Sequence, residues 1–181
     1  MQNRPPFPAQ WHKKLLDLVS DLDNPLLVQF ATLSGKTYPE SRTVILRLVP
    51  GLEKLYVCTN TTYPKWKQVK SHPYVALSTY AQTSRLALRL KANTSCFDHD
   101  SSFSYSAWKN MPELDRNKFL EMAKPNNNGV SAVYGCIELF PHSWTIDQTG
   151  KDGWTYKREI FQYDERVSRW ELIVEKEFGS K

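Results

Sequence analysis

Residues Arg42–Pro73 read RTVILRLVPGLEKLYVCTNTTYPKWKQVKSHP. Ser41–Val49 is β-branched and aliphatic, so a strand is expected there. Pro50-Gly51 carries turn chemistry, and Leu55–Thr59 is the returning strand. Pro64 suits the first turn of a helix, Lys65–Ser71 continues it, and His72-Pro73 stops it. The block is therefore a strand with an arginine at each end, a hairpin, a strand closing on Thr59-Asn60, and a short helix opening with Lys65. A phosphate monoester is a dianion with several acceptor oxygens, and it needs more than one cation together with neutral donors. A helix N-terminus with a nearby lysine, facing an arginine from the adjoining strand, offers that combination. Taken alone, Arg42, Arg47, Lys65 and Lys67 read more simply as solvated charges.

Working outward, Trp11–Asp23 has apolar residues at helical spacing and ends at Asn24-Pro25. Leu26–Thr32 reads as a strand buried on both faces. Tyr74–Tyr80 and Ser84–Phe97 are strands. Asp98–Glu121 reads as one or two helices broken at Pro112. Strands are expected again over Ser131–Phe140, Trp144–Gln148, Trp154–Gln162 and Arg169–Val174. Roughly eight short strands follow one another without βαβ alternation. That pattern predicts an antiparallel barrel or sandwich with flanking helices, and argues against a Rossmann sheet. The absence of GxGxxG and Walker motifs agrees.

At 181 residues, 40% apolar and 13% aromatic, the chain suits one domain over residues 1–181. Residues 1–10, with three prolines and no apolar h-region, read as an extended arm and not as a signal peptide. No apolar run is long enough to cross a membrane. Cys58, Cys96 and Cys136 lack CxxC spacing and read as buried free thiols in a reducing compartment, the cytoplasm. Four scattered histidines form no ligand pair, so no metal site is expected. The net charge of +5 suits an anionic ligand but does not select one. No GxSxG elbow or nucleophile–base pair emerges, and no residue is singled out as catalytic.

The block Arg42–Pro73 resembles the phosphate-binding region of the pyridoxamine-5′-phosphate-oxidase-like superfamily of FMN-binding split barrels. The resemblance runs through Arg42, Val44, Leu46 and Arg47, then Thr59-Asn60, Lys65, Gln68-Val69 and Pro73. Tyr105–Phe119 is similar to a helical segment in an FMN-binding branch distinct from the authentic oxidases. The resemblance implies an antiparallel split β-barrel, mainly β with flanking helices, and FMN as cofactor. It implies that Arg42 and Lys65 hold the FMN phosphate. Backbone groups of Val44 and Ile45 would approach the isoalloxazine edge, and those of Cys58 and Thr59 the ribityl chain. Arg47 would lie near the ring and substrate, and Arg158 would add a further cation. A homodimer with flavin at the interface is implied as well. Strand alternation sets a physical condition, because Arg42 and Arg47 are an odd number apart and a regular strand points them to opposite faces.

Three departures narrow the reading. Tyr63-Pro64 stands where the family often places polar phosphate donors. Leu86 stands where it often places a glutamine that meets the flavin. No R-x-H element is present, since Thr155–Arg158 is TYKR, which argues against oxidation of pyridoxamine phosphate. The tryptophans Trp108, Trp144, Trp154 and Trp170 read as core or interface residues, with Trp144 or Phe140 as candidates to cover a flavin. The function expected is a flavin-dependent oxidoreductase of unassigned substrate. Its alternatives are a split-barrel module without catalysis and, on charge and aromatic content alone, a single-stranded nucleic-acid binder.

Overall fold

The computed structural model describes residues 4–35 and 38–179. Its nine described strands are β1 (Leu27–Ser34), β2 (Tyr38–Ile45), β3 (Arg47–Val49), β4 (Lys54–Asn60), β5 (Tyr74–Ala81), β6 (Leu86–Asp98), β7 (Tyr134–Thr149), β8 (Tyr156–Asp164) and β9 (Arg169–Phe178). All pairings are antiparallel, in the order β2-β1-β5-β6-β7-β4-β3, with β8 and β9 added beside β7. The hydrogen-bonded path is open: it begins at β2 and ends at β3. Those two strands are consecutive in sequence, separated only by Leu46. The segment expected as one strand thus changes partner. Val44 and Ile45 pair with β1, the Leu46 amide still donates to Leu26 O at 2.9 Å, and Arg47 onward pairs with β4. One stretch of chain therefore belongs to both ends of the sheet, which is the split-barrel arrangement the strand order predicts.

Side-chain alternation runs unbroken through that switch. Val44, Leu46 and Leu48 pack with the core inside the barrel, alongside Phe30, Leu55, Val57, Leu77, Leu90, Ile137 and Trp144. Val49 turns the other way, into a second core with Tyr56, Phe103, Trp108, Tyr134 and Cys136. Helices α3 (Ser102–Lys109) and α4 (Glu113–Met122), separated at Pro112, cover this outer face. Helices α1 (His12–Ser20) and α2 (Pro64–Ser71) contribute Leu15 and Val19, and Trp66 and Val69, to the first core. β1 is buried on one face only, with Leu27 and Leu33 exposed outside the barrel. The expectation of burial on both faces fails because no helix among the described residues lies over the outer side of β1.

The two strands expected over Ser131–Phe140 and Trp144–Gln148 are a single bent strand, β7. Its first half pairs with β4 and its second half with β8, while β6 lies along both. Register against β6 shifts where Lys91 opposes Ser143 and Ala92 opposes Pro141, which leaves His142 as the extra residue. Pro141 has no amide proton to give, so a bulge there disrupts the ladder least.

The N-terminal arm, expected only to be extended, is fastened across this bend. Arg4 donates to Pro141 O and pairs with Glu165. The Trp170 and Trp144 indoles donate to Pro5 O and Pro6 O, each at 2.9 Å. Phe7 is buried against Trp144, with ring centroids 6.0 Å apart. After a 3₁₀ turn at Ala9–Trp11, the Trp11 indole donates to the buried Glu159 carboxylate at 2.7 Å. Trp144 is therefore a core residue whose polar atom is satisfied by the arm, and it is not free to cover a ligand. Phe7→Ala is expected to cost about 3–5 kcal/mol, the scale for emptying a buried aromatic site. Urea unfolding measures this, and a loss under 1 kcal/mol would mean that the arm docks without stabilising the barrel.

Candidate functional site

The segment leaving β4 forms the first wall of the site. The Asn60 side-chain carbonyl accepts from both the amide and the hydroxyl of Thr62, each at 2.8 Å. This turn carries the chain into α2, where Pro64 takes the first helical position and no acidic residue enters the first turn. Gly135 on β7 sets how close α2 can come. A Cβ added there would lie 2.8 Å from the Trp66 ring and 2.7 Å from Thr61, so only glycine admits the indole against the strand. Thr59 is the cross-strand partner of Gly135, and its hydroxyl turns back to Asn60 O at 3.3 Å.

Seated this way, α2 brings Lys65 and Gln68, one helical turn apart, over the rim of the barrel. Arg42, directly opposite Phe30 on β1, reaches the same rim. One of its terminal nitrogens donates to Thr32 Oγ1 and Phe30 O, and the other donates to Gln68 Oε1 at 3.1 Å and Glu40 at 2.9 Å. Lys65 is partly buried, and no carboxylate pairs with it among the described residues. Burial, and then the Arg42 charge, push the Lys65 pKa below the ordinary lysine value. Two cations thus face each other at the N-terminus of a helix without acid in its first turn. An anion placed there relieves that repulsion. Glu40 is exposed and its ion pair with Arg42 faces solvent, so an incoming anion competes with it directly.

Arg47 lies on the opposite face from Arg42, as strand parity requires, and no bulge intervenes between them. It is buried, and its guanidinium holds Asp115 of α4 at 2.5 Å. Its Nε is buried without a hydrogen-bond partner. Cys58 shares this face with the arginine, two residues along β4 from Tyr56, the cross-strand partner of Arg47. Burial pushes the Cys58 thiol pKa up while the Arg47 charge counteracts, and Cys58 is also within electrostatic reach of Lys65. Cys58 therefore stands between the two cationic regions.

Of the residues singled out from sequence, Arg42, Lys65, Cys58 and Thr59 gather around the start of α2. Val44 and Ile45 run along β2 toward Arg47, Val44 with its side chain against the inner core. Arg158 is placed elsewhere, on β8. It donates to its cross-strand partner Asp147 at 2.6 and 2.9 Å, and Arg89 shares that carboxylate at 3.2 Å. The hydrogen bond from Arg158 holds the Asp147 carboxyl below the usual range. No hydrogen bond or ion pair joins Arg158 to the Arg42–Lys65 group among the described residues. Leu86 is fully buried in the inner core and presents no polar atom. Among the described residues no group of acidic, histidine and cysteine side chains has a metal-binding arrangement. No helix among them is long and apolar enough to cross a membrane.

Sequence reading passed over Thr32, Glu40 and Asp115, and gave Gln68 no role. Gln68 was findable, since it follows Lys65 by one helical turn. Asp115 carried no local signal, because only the packing of α4 on the sheet brings it to Arg47.

With this geometry, the chain has the fold of the pyridoxamine 5′-phosphate oxidase-like split barrels. Its counterparts are seen in solved structures. A pyridoxamine 5′-phosphate oxidase-related, FMN-binding protein from Nostoc punctiforme superposes with a TM-score of 0.74 at 14% identity, covering 95% of this chain and 98% of its own. PhzG from Burkholderia lata, solved with tetrahydrophenazine-1-carboxylic acid, gives 0.69 at 12% identity, with 97% and 94% covered. A Clostridium acetobutylicum protein related to general stress protein 26 gives 0.58 at 14% identity, with 88% and 99% covered. No protein-family model matches the chain, and no curated protein matches it in sequence. At these identities the likeness is one of fold.

Three outcomes test the electrostatics of the site. Glu40→Gln removes the competing carboxylate and is expected to tighten binding of inorganic phosphate severalfold, read by titration calorimetry. That affinity should begin to fall, as pH rises, before the pH at which an ordinary lysine of pKa 10.5 deprotonates, because the anion binds the charged form of Lys65. Asp115→Ala leaves Arg47 buried without its counter-charge and is expected to cost about 3 kcal/mol in urea unfolding. Unchanged stability would show that Arg47 finds solvent or another acceptor when α4 is altered.

Proposed function

We propose that this chain binds FMN and works as a flavin-dependent oxidoreductase of unassigned substrate. The observation that carries the reading is the facing pair Arg42 and Lys65 at the start of α2, with a lysine depressed by burial and by the arginine. Such a pair suits the phosphate of FMN. Thr32 and Gln68 hold the Arg42 guanidinium in place, and Glu40 yields its position to the phosphate. Arg47, buried under α4 and paired with Asp115, acts in this reading as a fixed positive charge of the fold and not as a direct contact to the cofactor. The flavin, when bound, supplies the capacity to accept and return two electrons. The chain supplies binding, orientation and charge. FMN binding by the Nostoc punctiforme protein of the same fold supports the choice among phosphate esters.

A homodimer accompanies this reading. The outer face of β1 and β5 exposes Leu27, Leu33, Tyr74 and Tyr80, an apolar patch that a second copy would cover. Arg158, paired with Asp147 on the neighbouring strand, would in this reading reach the cofactor from the second protomer. Three free thiols fit a reducing compartment such as the cytoplasm.

A second reading, a binding module without catalysis, is favoured by two observations. Asp115 neutralises Arg47 from within the chain, and Leu86 offers no polar side chain. Purified protein should be yellow or quench added FMN saturably. Arg42→Ala and Lys65→Ala should each weaken that binding by about 1.5–3 kcal/mol, the scale of a charge-assisted contact. A colourless protein with no FMN affinity would remove both readings as flavin proteins. FMN bound but not reduced anaerobically by NADH, NADPH or an amine would select the second.

A further inference from the structure

Cys58 on β4 and Cys136 on β7 are direct cross-strand partners in the β4–β7 pairing. Both side chains point to the outer face of the sheet. Cys136 lies inside the second core, and Cys58 is partly buried against it. Cys96 points the other way: its partner Ile137 belongs to the inner core, so the sheet separates it from the other two thiols. We propose that Cys58 and Cys136 are a thiol pair that closes to a reversible cross-strand disulfide on exposure to peroxide.

Strand geometry carries the argument. Residues directly opposite in an antiparallel pair have Cα atoms about 4.5 or 5.5 Å apart, and both values fall within the range of about 4.4–6.8 Å that a disulfide spans. Their Cβ atoms stand about 4.5–5.5 Å apart, at or slightly beyond the distance of about 3.5–4.5 Å that a disulfide prefers. The bond therefore closes with a small inward movement of β4 and β7. Some strain remains in it, and strained disulfides are the readily reduced ones.

The environment sets the order of events. Cys136 is fully buried and its thiol lies 3.0 Å from the Tyr134 hydroxyl. Burial pushes its pKa up to about 12. Cys58 is the more solvent-exposed of the two and so the first to meet the oxidant; burial raises its thiol pKa, and the neighbouring Arg47 charge offsets only part of that rise. The Cys58 thiolate attacks one oxygen of hydrogen peroxide, giving a sulfenic acid and hydroxide. The Cys136 sulfur then attacks the sulfenic sulfur, forming the S–S bond and releasing water. In sum, two thiols and one hydrogen peroxide give one disulfide and two waters. The closure draws β4 toward β7 beside Arg47, so the redox state of the pair bears on the region between the two cations. None of this depends on a bound cofactor.

The test uses the full chain in native buffer, treated with hydrogen peroxide or diamide, then denatured and alkylated. Alkylatable thiols are expected to fall from three to one. Protease digestion separates the three cysteines at intervening Lys and Arg residues, and the peptides carrying Cys58 and Cys136 should appear joined. Dithiothreitol should restore all three thiols. In Cys58→Ser, checked for an unchanged circular dichroism spectrum, Cys136 should stay reduced under the same oxidant. The milder position is chosen because Cys136→Ser alters a fully buried site. Retention of three alkylatable thiols overturns the proposal. So do Cys58 oxidised to sulfinic or sulfonic acid without a cross-link, a link that involves Cys96, and a link between two chains.

Discussion

Residues 38–49 form one stretch of backbone that pairs with β1 over Tyr38–Ile45 and with β4 over Arg47–Val49. Because the alternation of side chains survives the change of partner at Leu46, Val44, Leu46 and Leu48 line the barrel while Arg47 and Val49 meet the helices outside it. Two cores result from one strand. The inner core takes Val44, Leu46 and Leu48, and the outer core takes Val49. The two arginines of the segment are separated onto opposite faces by the same parity. Arg42 meets α2, and Arg47 meets α4. The placement of the helices, the charges and the thiols follows from that division.

The site contains more positive charge than its immediate acids neutralise, and the protein manages the excess differently on each face. On the rim, Arg42 is held by neutral acceptors and one exposed carboxylate, while Lys65 has no acid partner among the described residues. That face stays receptive, since a solvent-facing ion pair is weak and easily exchanged. Under α4, the Arg47–Asp115 pair is largely removed from water, and breaking it would strand a buried charge. That face is committed to the fold. Arg42 is thus the exchangeable contact and Arg47 the fixed one.

β7 plays the matching part at the other end of the barrel. It is the strand that changes from β4 to β8 while β6 accompanies it throughout, and the bulge at His142 marks the change. The arm lies across that place, with Arg4 on Pro141 O and the Trp144 indole on Pro6 O. A bend in a buried strand exposes backbone carbonyls and leaves an indole N–H to satisfy, and the arm answers both. The first half of β7, by contrast, is regular, which is why Cys136 sits squarely opposite Cys58.

The sequence by itself determined the elements whose signals are local. Pro64 and His72-Pro73 bracketed α2, and Pro112 divided α3 from α4, because turn residues and strand periodicity act over a few positions. It also posed the parity of Arg42 and Arg47 correctly, since alternation is a property of any strand. What only the tertiary structure decided is every pairing made at long range. The change of partner at Leu46, the merging of two expected strands into β7, the docking of the arm on Trp144 and Trp170, and the meeting of Asp115 with Arg47 depend on which surfaces are left to cover once the sheet has formed. Burial decides those pairings, and burial belongs to the assembled chain, not to a window of it. For the same reason Cys58 and Cys136 looked like separate thiols in sequence and proved to be neighbours in register.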